Sequence, residues 1–276
     1  MNQTFSLQRF SLLVGKNWAE NKKRYLLSIL AYISLLSVWF IFVILTDISD
    51  PLAKNLQEVT FFFSLFLVGP FFASQFFRDL GSKTKGANYL MVPASALEKL
   101  LCGLLYSIIL FFIIFTLAFY LVDVLVVLMA NAFHPSYNGV ATQEGIAFKA
   151  HVVNVFNMRD LPQNNNLSYY FLVVFLTLQS VALLGSVYFS KYSYIKTVIS
   201  LTLVVIVTYL ILFKLRENIM PMGNFSVTEY KIYENDQVKI VSLPVWAQRL
   251  IEYLCSYAFA FIFWVTTYFR LKEKEV

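Results

Sequence analysis

The chain has 276 residues, of which 59% are hydrophobic and 14% are charged, and its formal net charge is +6 at pH 7. Soluble domains carry about 25% charged residues, so a chain this apolar has too few polar side chains to cover a surface that faces water. The same composition excludes a disordered chain. Cys102 and Cys255, the two cysteines, lie inside apolar runs and indicate neither a disulfide framework nor a metal site. The composition predicts an all-α polytopic membrane protein.

The N-terminal segment, residues 5–19, has apolar side chains near helical spacing at Phe10, Leu13, Val14 and Trp18. This pattern predicts a short amphipathic helix on the inner face of the membrane. The apolar run that follows is long enough to span a bilayer, and no small-residue cleavage site comes after it. We therefore expect a signal anchor and no cleavable signal peptide.

Six segments approach the roughly 20 apolar residues that a transmembrane helix needs. The fifth is the shortest, and the third continues apolar as far as Ala130, so its helix is expected to project past the bilayer or to bend. None shows the polar–apolar alternation of a membrane β-barrel strand. The predicted spans are residues 25–45, 59–77, 100–122, 167–189, 196–213 and 250–269.

The orientation follows from the distribution of lysine and arginine. With the N-terminus in the cytoplasm, fourteen basic residues lie on the cytoplasmic side and eight lie outside, although the outer loops are longer. The positive-inside rule then places both termini in the cytoplasm. This asymmetry accounts for the net charge without a nucleic-acid partner. Membrane lipids are expected partners of the basic cluster Lys22-Lys23-Arg24, at about 1 kcal/mol per side chain near leaflet phosphates.

Two long loops, residues 131–166 and 214–248, are predicted to lie outside the membrane. The first holds both histidines, His134 and His151, which lack neighbouring ligands at metal-binding spacing, so no metal is expected. In the second, alternating apolar and polar residues flank Asn235-Asp236. This pattern predicts a small extracytoplasmic β-hairpin.

Two polar residues stand out within the spans. Asp123 is near the outer end of the third span, where a solvated helix end is the simpler interpretation. A residue that lines an exit path or pairs with a neighbouring helix is the alternative. Gln179 lies in the fourth span, where an interhelical hydrogen bond is favoured over contact with a substrate.

The largest cytoplasmic loop, residues 78–99, holds the clearest functional signal. Ser95 and Glu98 have the spacing of a capping box, in which each side chain accepts a hydrogen bond from the other residue's backbone N–H. Pro93 ends any preceding helix, so the third helix is expected to begin at Ser95, inside the cytoplasm. The neighbouring apolar patch, which a soluble partner can contact, consists of Tyr89, Leu90 and Met91.

Residues 89–100 read Tyr-Leu-Met-Val-Pro-Ala-Ser-Ala-Leu-Glu-Lys-Leu. This run resembles the YLxLPASxLEKxL loop of bacterial ATP-binding-cassette (ABC) permeases of the type-2 exporter family, with Val92 where leucine is usual. The resemblance implies six spans, a cytoplasmic cassette ATPase subunit that contacts the loop, and a second permease protomer as partner in a homodimer or heterodimer. The ATPase-coupling residues that it implies are Tyr89, Leu90, Pro93, Ser95, Glu98 and Lys99. Arg78, at the start of the same loop, is a further coupling candidate.

The chain carries no catalytic motif of its own. Residues 81–88 have the glycine spacing of a Walker A loop, but Ala87 and Asn88 replace the lysine and the hydroxyl residue that hold phosphate and Mg²⁺. No HExxH, GxSxG or CxxC sequence occurs. We therefore expect no enzyme activity and no cofactor.

The sequence thus predicts the permease subunit of an ABC exporter in the bacterial cytoplasmic (inner) membrane, driven by ATP that a separate subunit hydrolyses. A non-transporting membrane scaffold or sensor, with an extracytoplasmic recognition surface, stays open as the alternative. An ion-coupled secondary transporter ranks third, because broken helices and buried midplane charges are nearly missing. The spans, rich in Phe, Leu and Val, do not identify a substrate.

Overall fold

A computed structural model describes residues 5–46, 52–133, 150–156, 167–219, 229–234, 237–242 and 244–275. Among these residues, six helices are long and apolar enough to cross a membrane, so the prediction of a helical, multi-pass chain is confirmed by length and composition. The helices are α1 (Leu7–Thr46), α2 (Lys54–Ala73), α3 (Lys83–Leu90), α4 (Ala96–Leu104), α5 (Phe111–Phe133), α6 (Leu167–Tyr188), α7 (Ser193–Ile219) and α8 (Val245–Glu275).

The amphipathic N-terminal segment is helical, but it is not the separate short helix that its sequence pattern predicts. It forms the beginning of α1, a continuous helix of 40 residues that also contains the first span. Contacts between successive turns support this continuity, because Lys16 pairs with Glu20 at 3.8 Å and the Asn21 amide donates to the Asn17 carbonyl at 3.1 Å. The segment is therefore an N-terminal extension of the first span.

The third span is a single long helical run from Ala96 to Ala132. A six-residue π-helical turn, Leu105–Leu110, joins α4 to α5 within it. This turn places Tyr106 against α1, where its hydroxyl donates to the Val14 carbonyl at 3.0 Å and its ring stacks on Tyr25 at 5.7 Å. Turns of this kind are rare in proteins, and many of those known lie at functional sites.

Aromatic rings form the centre of the contact between α1, α2 and α5. Phe61 of α2 packs edge-on against Phe119 at 5.0 Å and against Phe115 at 5.5 Å, and Phe119 also meets Phe40 of α1 at 6.2 Å. Lipid tails are as apolar as these side chains, so the helices associate in a membrane through close packing rather than through the hydrophobic effect. Edge-to-face ring pairs provide such packing.

The short segment 150–156 covers one end of this bundle. Asn131 of α5 holds it with two hydrogen bonds, because its amide nitrogen donates to the Ala150 carbonyl at 3.1 Å and its oxygen accepts from the Ala150 N–H at 3.0 Å. The Gln57 amide of α2 donates to the His151 carbonyl at 3.3 Å. We term residues 150–156 the covering segment.

α6 and α7 meet at a tight turn whose last residue before α7, Tyr192, has a positive φ of 54°. Directly after it, the Ser193 hydroxyl donates to the Ser74 carbonyl at 2.9 Å, which joins the turn to the end of α2. α2 stops at Ala73, earlier than the predicted span, because residues 74–77 form successive turns. Farther along α7, residues 202–214 are exposed, as in a helix that faces lipid.

Two strands, β1 (Glu229–Glu234) and β2 (Gln237–Ser242), lie between α7 and α8 and pair antiparallel, with Glu234 opposite Gln237. The turn that the sequence predicts between them, residues 235–236, lies outside the described residues. The turn itself and the extracytoplasmic position of the strand pair stay predictions.

Replacing Gly185 of α6 by alanine is expected to destabilise the protein by about 1–3 kcal/mol, the usual cost of overpacking. The new methyl group would lie 2.8 Å from Cβ of Thr197 on α7, which is too close for either helix to keep its position. Thermal unfolding in one detergent measures the effect.

Gly15→Ala is the matched control, because no atom lies within 4 Å of the added methyl group and the residue is exposed within α1. Helix propensity alone then stabilises this variant by about 0.5–1 kcal/mol. Equal unfolding temperatures for the two variants would contradict the close packing of α6 on α7.

Candidate functional site

Residues 78–99, termed here the coupling segment, have regular secondary structure over much of their length. They form a 3₁₀ turn (Arg78–Gly81), the two-turn helix α3, and a turn that leads into α4. Sequence patterns indicate only a loop here and miss α3, because Gly86 falls in its middle. That glycine has a packing role, since a Cβ there would lie 3.2 Å from the Leu80 carbonyl oxygen.

The base of the coupling segment rests on the turn between α6 and α7. Gly81 approaches Ser190 so closely that a Cβ at position 81 would lie 2.6 Å from the Ser190 Cα atom. Just before this turn, the ammonium of Lys274 from α8 donates to the Val187 carbonyl of α6 at 2.6 Å and joins these two helices. The backbone contact of Gly81 thus fixes the base of the coupling segment against the turn.

The Glu98 carboxylate is the centre of the candidate site, and its side chain is fully buried. One oxygen accepts from the Ser95 N–H at 2.8 Å, and the Ser95 hydroxyl accepts from the Glu98 N–H at 3.2 Å. The predicted capping box is therefore confirmed. The other carboxylate oxygen accepts from the Ser6 N–H at 2.7 Å and lies 3.1 Å from the Arg9 guanidinium.

No local pattern in the sequence indicates that Ser6 and Arg9 belong to this site. They lie about ninety residues before Glu98, at the start of α1. Leu13 extends the contact, because it packs with Cys102 in a cluster that Val92 of the coupling segment also touches. A buried carboxylate is stable only with strong donors around it, and here two of the three donors, Ser6 and Arg9, come from the N-terminal residues. Glu98 therefore joins α1 to the coupling segment.

Lys99 is also buried, with 1% of its surface exposed. Its ammonium donates to the Leu90 carbonyl at 3.3 Å and lies 5.7 Å from the centre of the Tyr89 ring. Tyr89 packs edge-on against the buried ring of Phe77 at 6.2 Å. Because a cation stabilises the carbonyl end of a helix, Lys99 holds the end of α3 on the first turn of α4.

The candidate coupling residues of this segment fall into two groups. One group is buried or half-buried and holds the segment together: Tyr89, Leu90, Ser95, Glu98 and Lys99. The other group is exposed: Arg78 and Pro93. Between them lies Met91, which is 80% exposed and which the resemblance does not single out. Lys83 and Lys85 of α3 are exposed as well. We term Met91, Pro93, Lys83 and Lys85 the exposed ridge.

Asp123 does not lie at a solvated helix end, so the interpretation favoured by the sequence is wrong. Its side chain is fully buried, and the backbone N–H of Val153 in the covering segment faces its carboxylate. The covering segment explains this burial, because the Val155 N–H donates to the Tyr120 hydroxyl at 3.3 Å, one turn before Asp123.

Gln179 is fully buried between α6 and α2, where a Cβ on Gly69 would lie 2.6 Å from its amide nitrogen. Its amide atoms have no partner within the described residues, so the predicted interhelical hydrogen bond is not formed there.

Neither a metal-ligand cluster nor a similar protein assigns a role to these residues. Within the described residues, no group of three or more His, Cys, Asp or Glu side chains is placed to hold a metal ion, and His134 lies outside those residues. No protein-family model, curated protein sequence or solved structure matches the chain.

Replacing Glu98 by alanine is expected to destabilise the protein by about 1–3 kcal/mol for each N–H group left without an acceptor. The two groups affected are the N–H groups of Ser6 and Ser95, and the guanidinium of Arg9 loses its partner as well. Thermal unfolding in detergent measures stability, and limited proteolysis measures release of the N-terminal residues.

Glu20→Ala is the matched control, since the Glu20 carboxylate is exposed and pairs with Lys16 across one helical turn at 3.8 Å. Exposed pairs of this kind contribute about 0.3–0.5 kcal/mol. A Glu98→Ala protein as stable and as protease-resistant as Glu20→Ala would show that Glu98 does not hold the N-terminus.

Proposed function

We propose that the chain is the membrane-spanning permease subunit of an ABC exporter, and that a separate cytoplasmic subunit hydrolyses the ATP. The observation that carries this proposal is the build of the coupling segment: an exposed ridge stands on a base that is fixed from within by the buried Glu98 and Lys99. The resemblance of residues 89–100 to the type-2 exporter loop supports the same role.

The contacts of the coupling segment define the path along which a push on the ridge travels. Lys99 connects the end of α3 to α4, and the capping box makes Ser95 the fixed start of α4. The third span continues from there without interruption, so displacement of its first turn tilts the whole helix. Ser6 and Arg9 carry the same displacement to α1. A domain closure on the cytoplasmic side thus changes access to a pathway between two protomers.

The proposed function requires that the coupling segment face the cytoplasm. The lysine and arginine distribution supports this orientation, with both termini inside a bacterial inner membrane. Two such chains, identical or different, form the transporter in this proposal. Glu98 and Lys99 act as positioning residues, and the exposed ridge makes the contact with the ATPase.

Met91→Asp is expected to weaken binding of the ATPase subunit about tenfold or more, because a charge replaces an apolar side chain that the interface buries. The permease is co-expressed in turn with each stand-alone cassette ATPase of its source genome, and the dissociation constant of the purified pair is measured. Met91 suits this test better than Tyr89, since Tyr89 also supports the fold through Phe77.

Trp246→Asp is the matched control, because Trp246 is an apolar residue, 71% exposed, at the other end of the molecule. It is expected to bind the ATPase as the parent does. Absence of a stable pair with every cassette ATPase, or equal binding by Met91→Asp, would reject the permease proposal and favour the non-transporting scaffold.

A cysteine at Asn88 is expected to react with a membrane-impermeant maleimide in inside-out vesicles and not in intact cells. Asn88 is exposed on α3, and the remaining native thiol in a Cys255→Ser background, Cys102, is buried. Val152→Cys, in the exposed part of the covering segment, is the control and reacts from the outside only. The reverse labelling pattern would invert the topology and exclude contact with a cytoplasmic ATPase.

A further inference from the structure

A polar groove and an apolar cavity adjoin where α1 and α2 meet the third span. Tyr25 and Phe72 line both and form the boundary between them. The groove is lined by side chains that include Asn17, Asn21, Arg24 and Gln75. The cavity, of about 90 Å³, is lined by apolar and aromatic side chains that include Trp18, Ile29, Val68, Leu110 and Phe111. The combined site is therefore amphipathic.

The apolar part suits a hydrocarbon chain. Its lining is mostly apolar, and a cavity of this kind offers few hydrogen-bond partners to water. Trp18, which is 46% exposed, stands at the edge of the cavity, and the buried ring of Tyr32 lies deeper along α1. Tryptophan and tyrosine favour the depth at which headgroups meet acyl chains. The cavity thus runs from the membrane interface toward its interior.

Arg24 of the groove and Arg78, which lines the adjoining pocket on the other side of Gln75, are two cations with a shared neutral partner. The Gln75 amide oxygen accepts from the Arg24 guanidinium at 3.4 Å and from the Arg78 guanidinium at 3.3 Å. Neither guanidinium pairs with a carboxylate within the described residues. Two positive groups that meet at one uncharged oxygen repel each other, and an anion between them removes that repulsion.

The acidic residues of the groove are already engaged with lysines. Glu20 pairs with Lys16 at 3.8 Å, and Asp79 pairs with Lys85 at 3.9 Å. The positive charge of Arg24 and Arg78 is therefore available to a ligand. Guanidinium groups bind phosphate through paired hydrogen bonds. A lipid headgroup whose phosphate gives it a net negative charge is therefore a better match than a headgroup without net charge.

We propose that this site binds an anionic phospholipid, with its phosphate between Arg24 and Arg78 and part of an acyl chain in the cavity behind Tyr25 and Phe72. The cytoplasmic leaflet as its source follows from the topology proposed above. Binding itself does not depend on the transport function, so the site can be tested in the isolated chain.

The test measures the thermal unfolding temperature of the detergent-purified protein with added dioleoylphosphatidylglycerol, dioleoylphosphatidylcholine or inorganic phosphate. We expect only the anionic lipid to raise the unfolding temperature, in a saturable manner. Arg24→Gln combined with Arg78→Gln is expected to weaken the apparent affinity for that lipid about thirtyfold. Both side chains are exposed, so the double variant keeps its fold.

Lys22→Gln combined with Lys23→Gln is the matched control, because it removes the same charge from exposed neighbouring residues that do not line the site. This variant is expected to keep its affinity. An equal loss in both double variants would reduce the effect to diffuse attraction and overturn the proposal. Phosphatidylcholine has the same phosphate but also a choline cation, so an equal temperature rise with it would exclude selection for a headgroup of net negative charge and overturn the proposal. An equal rise with inorganic phosphate would exclude a role for the acyl chain.

Discussion

The buried Glu98 carboxylate is the constraint on which the half of the molecule around the coupling segment depends. An ionised group without contact with water needs compensation on every side, and Glu98 obtains it from Ser95 within its own helix and from Ser6 and Arg9 of α1. The start of α1, the coupling segment and the start of the third span therefore keep one arrangement. Movement of any one of them without the others leaves a buried charge or a buried N–H group unpaired.

The membrane-embedded half is held by a different kind of contact. Its core is a set of interlocking aromatic rings around Phe61 and Phe119, which have no charge to satisfy and tolerate small relative rotations. Asp123 and Gln179 are exceptions, since both are polar side chains that are fully buried in this half, and neither amide atom of Gln179 has a hydrogen-bond partner in the described chain. The contrast is consistent with the proposed permease, in which the coupling segment keeps a fixed connection to α1 while the helices tilt within the bilayer.

The range of an interaction along the chain decided which features the sequence could predict. The capping box joins residues three apart, so it is visible in the sequence and was confirmed. The Ser6 and Arg9 contacts cross about ninety residues and leave no local pattern. Asp123 was misjudged for the same reason, because the covering segment that buries it follows some thirty residues later. The span count, which depends on hydropathy alone, was right, whereas the break between the N-terminal helix and the first span was not.

The proposed lipid site and the proposed coupling path share one side chain. Tyr106 lies on the π turn of the third span, donates to the Val14 carbonyl and stacks on Tyr25, which is the boundary of the lipid cavity. A tilt of the third span relative to α1 therefore changes the width of that cavity. Because energetic coupling between two states is reciprocal, a lipid that binds one width better than another also shifts the balance of helix positions. The membrane would then act on this chain as a ligand with a defined site as well as a solvent.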